Sequence, residues 1–390
     1  NQLDFGFKVK KFFDAATGKD VYSLDKSQTS FFTMKQLQYN IYRSFKVKQT
    51  NRHQIVKQVK KILQDDFEKY IVRTDIESFY ESVPQSKLFE IIEGNQLLSP
   101  KSTSLIKNLI YQFNVLSGEL AKPADQRKGV PRGAGVSAYL AELYMRTVDE
   151  RIKQLPDIIF YGRYVDDIIA IFSPLKTTKS NYYLDSIDII VKEQGLKLKK
   201  SVPPAASKTY EVNTFNSAPP KSLEFLGYRF DIANKKYSGI FLSKNKISKY
   251  TIRLESTFDS FIRDSKYDYK KATKLLIHRL NYLTKNTHLQ KPKKGITGIY
   301  YSNSLLENDS PCLEALNLIL NDLINLNVPH ALDPALNVRL KKFCFRKGFV
   351  NKLFFNISSK NKNIPDLRSA SAKALKPIVN NFERIVFAWK

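Results

Sequence analysis

Sulfur and histidine are scarce in this chain of 390 residues. Cys312 and Cys344 are its two cysteines and form no CxxC pair, which argues against a disulfide framework or a thiolate zinc site and fits a reducing, cytoplasmic setting. The four histidines, His53, His278, His288 and His330, are scattered and build no HNH or zinc-type nuclease pattern. No apolar run approaches the roughly 20 residues that a bilayer crossing requires, and Asn1 opens no signal-like pattern. A first residue other than Met leads to the expectation of trimming ahead of this chain. Internal repeats and low-complexity tracts are also missing.

Acidic charge is the other shortage. Asp plus Glu number 37 against 64 Lys plus Arg, a net charge of +27. An excess of that size exceeds what solubility asks for and suggests a polyanionic partner. It continues to the C-terminus, where residues 331–390 hold 13 basic and 3 acidic side chains. Charge alone does not separate nucleic acid from an acidic membrane surface. What is plentiful is core material: 42% of the residues are hydrophobic, and a chain of this length is expected to form two or three subdomains.

The first seventy residues mix aromatic and basic positions. In "RHQIVKQVKKILQDDF", Ile55, Val59, Ile62 and Leu63 recur at helical spacing. "KYIVRTDIESFY" then reads as an apolar strand ending at Asp75. "SPKSTSLIKNLIYQF" has a Ser-Pro helix start. "KGVPRGAGVSAYLAELYMRTVDERI" is a glycine-rich loop feeding a long helix that carries Val136, Leu140, Leu143 and Val148 on one side, and "DIIFYGRYVDDIIAIF" reads as two strands about a tight turn. "NYYLDSIDIIVKEQG" is a helix with a Gly stop, and "LEFLGYRFD" a strand. From Ser243 the pattern is mainly helical. Ile247, Leu254, Phe258 and Phe261 share a core-facing stripe, with Lys246, Lys249 and Arg253 beside it. "KNTHLQKPKKG" is a basic break, after which "PCLEALNLILNDLINL" and "LKPIVNNFERIVFAW" read as helices.

Asp166 and Asp167 sit inside an aromatic and branched-aliphatic run. An ionised carboxylate there is costly unless it is hydrogen-bonded, paired or metal-bound. Three elements line up in order: a strand ending in Asp75, a Gly-rich loop entering a helix, and a hairpin presenting Asp166 and Asp167, 91 positions beyond Asp75. Nucleotidyl transfer needs such a set, because two Mg²⁺ ions about 3.5–4 Å apart must be held by hard oxygen ligands on adjacent strands. Each fragment alone has a plainer reading: a turn, a strand end, a loop before a helix. Their order and spacing together favour the chemistry.

These residues resemble the motifs of a reverse transcriptase over roughly residues 40–260. "RTDIESFY" resembles motif A, with Asp75 and the Ile76 carbonyl as metal ligands and Tyr80 in the steric-gate place. "VPRGAGVS" resembles motif B, with Gly133 and Ser137 in matching positions, and "YVDD" is similar to motif C. "LKLKKSVPPAASKTYEV" resembles motif D with Lys208 as proton donor to pyrophosphate, and "FLGYRF" the primer grip, Phe225, Leu226, Gly227 and Tyr228.

The resemblance implies an α+β right-hand polymerase: N-terminal segment and fingers in 1–74, fingers and an antiparallel palm in 75–240, a helical thumb in 241–295, and a basic helical extension in 296–390. It implies DNA synthesis from dNTPs with two Mg²⁺ ions, or Mn²⁺ in their place. The expected metal ligands are Asp75, Asp166 and Asp167. Arg43 and Arg52 would lie over the incoming nucleotide, and Lys246, Lys249 and Arg253 along the primer–template backbone; a solvated charged face is the plainer account of these five.

One departure narrows the branch. Arg132 stands where motif B usually has glutamine, beside the incoming nucleotide or template base. "PRGAGVSAYLAELYM" with "YVDD" resembles the bacterial abortive-infection, defence-associated reverse transcriptases, related to retron and group II intron enzymes. That branch implies a cytoplasmic antiphage role, an RNA template or noncoding RNA or no conventional template, and a homo-oligomer or a complex with another defence protein. No carboxylate set after the thumb suggests an RNase H domain. Two rivals stay open: an RNA-dependent RNA polymerase, and a nucleic-acid-binding scaffold whose palm no longer catalyses.

Overall fold

The computed structural model describes residues 6–15, 17–48, 50–65, 67–179, 181–199, 208–215, 220–233, 236–289, 295–329, 331–355 and 385–389. The chain divides into two compact units, residues 1–226 with 232–237, and residues 227–231 with 238–390.

The first unit opens with an antiparallel hairpin, β1 (Val9–Asp14) and β2 (Lys19–Leu24). Helix α1 (Gln28–Phe45) follows, its N-terminus capped by the Ser27 hydroxyl, which accepts from the Ser30 amide at 3.2 Å. Helix α2 (Arg52–Leu63) starts at Asn51, whose side chain accepts from the His53 amide at 2.9 Å, and buries Ile55, Val56, Val59 and Leu63. Strand β3 (Tyr70–Asp75) is buried along its whole length. After it come α3 (Phe79–Ser82), α4 (Gln85–Gly94) and α5 (Pro100–Ser117), the last begun by the Ser99 cap and Pro100. The long helix α6 (Ser137–Lys153) leads into β4 (Ile158–Tyr164), β5 (Asp167–Phe172), α7 (Tyr182–Glu193) and β6 (Tyr210–Asn213).

Strands β4, β5, β3 and β6 form one antiparallel sheet in that order. Side chains alternate between its faces. Tyr70 and Val72 of β3 lie opposite Phe172 and Ala170 of β5, and these four join one core with Leu140, Tyr144 and Val148 of α6 and Ile187 of α7. The Phe172 and Tyr183 rings stack in that core at 4.0 Å. The opposite face carries Ile71, Arg73 and Asp75 beside Ile171, Ile169 and Asp167. Helix α2 closes on this second face where Gly162 leaves room: a Cβ at Gly162 would stand 2.8 Å from Ile55 Cγ2.

Arg163 places a cation on the helix-covered face. It is only 6% exposed, yet its guanidinium donates to both carboxylate oxygens of Asp149 at 2.7 Å and to Glu142 Oε2 at 2.7 Å, both on α6. The Tyr161 hydroxyl donates to Asp149 as well, at 2.6 Å.

Further along, "LEFLGYRFD" differs from the single strand expected of it. It is split into β7 (Lys221–Phe225) and β8 (Tyr228–Ala233), because Leu226 and Gly227 both adopt positive φ, +46° and +76°. Two consecutive left-handed residues reverse a chain. With β9 (Lys236–Leu242) these strands form a three-stranded sheet in the order β7-β8-β9.

The second unit is mainly helical, as its sequence pattern indicates. Helix α8 (Lys244–Ser265), capped by Ser243, packs on α9 (Tyr269–Thr284) and on α10 (Pro311–Asn327), and Leu254 and Phe258, Leu276 and Leu280, and Leu316 and Leu320 of these helices are buried. A hairpin of β10 (Asn286–Leu289) and β11 (Gly295–Gly298) follows α9, α11 (Pro334–Leu340) and α12 (Phe345–Val350) come after α10, and Phe387–Trp389 form a short 3₁₀ helix. The hairpin occupies the stretch read as a basic break. Of the expected helix "LKPIVNNFERIVFAW", residues 375–384 lie outside the described residues.

Removing Arg163 would leave two partly buried carboxylates facing each other without a cation. Arg163→Ala is expected to destabilise the first unit by about 3–5 kcal/mol, the range for breaking a buried pair from one side. Denaturant titration at fixed pH measures it; a loss below about 1 kcal/mol would show that the pair carries little.

Candidate active site

The register of three strands brings the carboxylates together. Asp75 lies directly opposite Asp167 on the β3–β5 ladder, and Tyr164 opposite Asp167 on the β4–β5 ladder. The β4–β5 connection is therefore two residues, Val165 and Asp166. Val165 has φ +61°, and positive φ at the first loop position only is the pattern of a type II′ turn. A β-branched side chain at positive φ is strained, a cost of about 1–3 kcal/mol. Two hydrogen bonds hold the turn: Arg163 Nη1 donates to the Val165 carbonyl at 2.9 Å, and the Ile76 amide donates to the Asp166 carbonyl at 3.2 Å. The other edge of Asp75 is tied down as well, its carbonyl accepting from the Lys199 amide at 2.7 Å. One carboxylate oxygen from each of Asp75, Asp166 and Asp167 falls within 4.8 Å of the other two.

Three negative groups at that separation repel. Burial raises the Asp166 carboxyl above its ordinary range and Asp75 adds to the rise. Burial does the same to Asp167, partly offset by Arg73 and reinforced by Asp75 and Asp166. Two cations answer the charge. Arg73, buried, donates to Asp167 Oδ1 at 2.7 Å and to the Lys208 carbonyl at 2.6 Å. Lys208 Nζ stands 3.1 Å from Asp75 Oδ2. The donor set is therefore three hard carboxylate oxygens in a partly buried, electronegative corner, which suits a divalent cation such as Mg²⁺ or Mn²⁺.

The glycine-rich loop is built against the N-terminal hairpin. Gly133 has φ +93°, and a Cβ there would lie 2.7 Å from Val21 Cγ1 and 2.9 Å from the Tyr22 carbonyl oxygen. The Arg132 carbonyl accepts from the Tyr22 amide at 2.7 Å. The Arg132 side chain turns toward α3: it binds the Glu81 carboxylate through Nε and Nη2 at 2.9–3.0 Å, and its guanidinium lies over the Tyr80 ring at 5.0 Å. Tyr80 is half-buried, and its carbonyl accepts from the Val130 amide at 2.7 Å. Ser137 is buried and donates its hydroxyl to the Pro131 carbonyl at 2.7 Å, so it braces the loop from within.

Among the sequence-derived candidates, Asp75, Ile76, Asp166, Asp167 and Lys208 meet at one place. Tyr80 and Arg132 touch each other, and the Asp166 carboxylate acts on the Tyr80 phenol. Arg52 reaches from α2 to the Leu226 carbonyl, and Phe225 and Leu226 are buried. Arg43 is exposed in the last turn of α1. In the second unit, Tyr228 is buried after Gly227, Lys246 lies over the Tyr228 ring at 5.0 Å, Arg253 lies over Trp389 at 5.4 Å, and Lys249 is exposed. Residues 200–207 of the motif D segment lie outside the described residues.

Five contributors, Arg73, Glu81, Glu142, Asp149 and Arg163, escaped the sequence reading. Arg73 could have been found: it sits two positions before Asp75, hence on the same face of an otherwise apolar strand. Glu81 and the Glu142–Asp149 pair carried no such signal, because their partners Arg132 and Arg163 are distant in sequence or on another element.

Comparison with known proteins identifies a family. The sequence matches the family described as reverse transcriptase (RNA-dependent DNA polymerase) over residues 21–230. Solved structures similar to the chain include apo telomerase from Candida tropicalis, at 14% identity and a TM-score of 0.40 over 88% of this chain and 63% of that one. The same telomerase truncated from its C-terminal domain gives 13% and 0.39 over 61% and 55%. Telomerase from Candida albicans in complex with a fragment of telomeric RNA gives 13% and 0.35 over 81% and 47%. The chain thus spans 47–63% of the length of these structures. No curated protein matched.

The crowding of carboxylates has a measurable consequence. The folded Asp166 carboxyl titrates above its unfolded value near 3.9, so the folded state holds the proton more tightly and stability falls as pH rises through the interval between the two values. The cost is complete above the folded value and absent below about pH 3.9. Asp166→Asn should therefore raise the melting temperature at pH 7 in chelator, with the gain shrinking toward pH 4; a gain unchanged across that range would show that charge is not its source.

Proposed function

This chain belongs to the reverse transcriptase (RNA-dependent DNA polymerase) family, and on that premise we propose that Asp75, Asp166 and Asp167 carry the addition of dNTPs to a growing strand. The observation that supports the reading is the convergence of these three carboxylates at the end of β3 and the β4–β5 turn. Bound there, two divalent cations would activate a primer 3′-hydroxyl and stabilise the leaving pyrophosphate. Asp75 and Asp166 would hold both ions, the Ile76 carbonyl would add a ligand, and Asp167, engaged by Arg73, would contribute more weakly.

The chain's other residues have derivable tasks. Lys208 is the proton donor to pyrophosphate; its contact with Asp75 Oδ2 puts it at the site, and it must release that oxygen to act. Tyr80 excludes a ribose 2′-hydroxyl, held in place by the Arg132 guanidinium over its ring. With its fork closed on Glu81, Arg132 serves as a wall of the nucleotide site in place of the usual glutamine. Gly133 and Ser137 shape that wall, Arg43 and Arg52 favour the incoming triphosphate, and Phe225, Leu226, Gly227 and Tyr228 form the primer grip. Lys246, Lys249 and Arg253 contact phosphates, giving affinity that weakens with salt.

The finer biology is part of the same proposal. "PRGAGVSAYLAELYM" with "YVDD" supports placement in the bacterial defence-associated branch. There the enzyme would act in the cytoplasm against phage, with a noncoding RNA or without a conventional template, as a homo-oligomer or with another defence protein. Among the described residues no helix is long and apolar enough to cross a membrane, which is compatible with that setting.

Two measurements test the assignment. Asp166→Ala combined with Asp167→Ala should reduce labelled dNTP incorporation to background, and undiminished incorporation removes the two-metal site. Incorporation of NTPs in preference to dNTPs by the wild type would instead identify an RNA polymerase. Tyr80→Ala should lower discrimination against ribonucleotides by roughly 10–200-fold, the range of a single pocket contact; unchanged discrimination moves the gate elsewhere.

A further inference from the structure

Helix α1 buries one face and leaves the other unusual. Met34, Leu37, Ile41 and Phe45 are buried, and Met34 and Gln38 approach the glycine-rich loop closely enough that a Cβ at Gly135 would stand 2.3 Å from Gln38 Nε2 and 3.5 Å from Met34 Cγ. At 100° per residue, Phe31, Lys35, Tyr39 and Tyr42 fall within a sector of about 80° on the outward side, flanked by Phe32 and Arg43. The four rings are 47–67% exposed, which is unusual for residues that ordinarily fill cores. Phe31 and Phe32 meet edge to face at 5.4 Å, and Lys35 lies over Phe31 at 5.9 Å.

Charge decides what such a face fits. From Lys26 to Gln64 the chain holds nine basic residues and no acidic one. Isolated exposed aromatics would suit a protein partner, but a partner placed here must also satisfy a predominantly cationic segment, with the Asp25 carboxylate at the start of the helix as its acidic neighbour. A second copy of the chain would bring its own excess of 27 positive charges, which opposes self-association on this face. Exposed rings alternating with cations are what a single-stranded nucleic acid requires: the bases stack, and the phosphates meet lysine and arginine.

We propose that the outward face of α1 is a second nucleic-acid site, binding a single strand through Phe31, Phe32, Tyr39 and Tyr42, with Lys35 on its phosphates. From residue 31 to 42 the helix rises about 16 Å, enough for roughly five nucleotides at 3.4 Å each. Phe32 and Tyr39 point away from Gln38, the α1 side chain that meets the glycine-rich loop, while Phe31 and Tyr42 lie nearer to it. Such a site would anchor an unpaired stretch of the template or of an accompanying RNA. Its chemistry is shared by RNA and DNA.

Binding is read on the full chain without dNTPs or divalent cations, so it does not depend on the catalytic assignment. Fluorescein-labelled oligouridylate and oligothymidylate of about 12 nucleotides serve as probes, within the roughly 4–16 nucleotide span of single-strand sites, with a duplex of equal length as control. Tyr39→Ala combined with Tyr42→Ala should weaken single-strand binding about tenfold or more, while Tyr39→Phe with Tyr42→Phe, which keeps the rings, should retain it. Lys35→Gln should flatten the plot of log K against log salt by about 0.7. Strands carrying 5-iodouracil should photocrosslink to the peptide spanning residues 31–42, and a preference between the two probes tells RNA from DNA. Crosslinks confined to other peptides, unchanged affinity in a double alanine variant that melts like the wild type, or an equal loss for duplex would overturn the proposal. So would concentration-dependent self-association that the double alanine variant abolishes while its strand binding stays intact.

Discussion

Three carboxylates held within 4.8 Å of one another are the constraint on which the rest of the first unit depends. Left to themselves they would separate, because like charges in a partly buried site repel more strongly than in water. The backbone prevents it. Asp75 and Asp167 are locked opposite each other by the β3–β5 ladder, and Asp166 is confined to a turn of two residues. A register shift of one position would swing every side chain of β5 to the other face and dismantle both the site and the core in which Phe172 and Ala170 take part.

The sheet therefore serves two chemistries by alternation. One face is apolar and pressed on α6 and α7; the other ends in the acidic corner and its Arg73 clamp. Arg163 connects the two. Its guanidinium is anchored to Asp149 and Glu142 on the helix side, and from there it supports the carbonyl of Val165, the strained residue of the acidic turn. Strain of this kind persists only when the surroundings over-determine it, and here the surroundings are a buried ion network and two strand ladders.

A comparable economy governs the glycine-rich loop. Gly133 has no room for a side chain because β2 passes beside it, and the Arg132 carbonyl completes its hydrogen bonding on the same strand. The N-terminal hairpin, which has no obvious part in catalysis, thus shapes the wall of the proposed nucleotide pocket. Helix α1 backs the same loop from the other side through Met34 and Gln38, leaving its aromatic and basic face to solvent.

Much of this was legible in the residues alone. Apolar periodicity located α2, α6, α8 and the strands ending at Asp75 and beginning at Asp167, because period 3.6 and period 2 are local properties of a chain. The order Asp75, glycine-rich loop, Asp166–Asp167 located the acidic corner, since that chemistry tolerates few other residue types. The break of "LEFLGYRFD" at Leu226 was not legible: an apolar Leu at positive φ contradicts its local preference. The hairpin at residues 9–24 was equally silent, its exposed Phe12 and Phe13 spoiling the alternation that marks a half-buried strand. What the sequence by itself determined is which side chains carry the charge and which elements present them. Only the tertiary structure decided that Arg73 restrains Asp167, that Arg132 closes on Glu81 over Tyr80, and that Arg163 supports the turn. Those pairings join groups up to 94 positions apart, and such distances are set by how strands and helices pack, which no local pattern encodes.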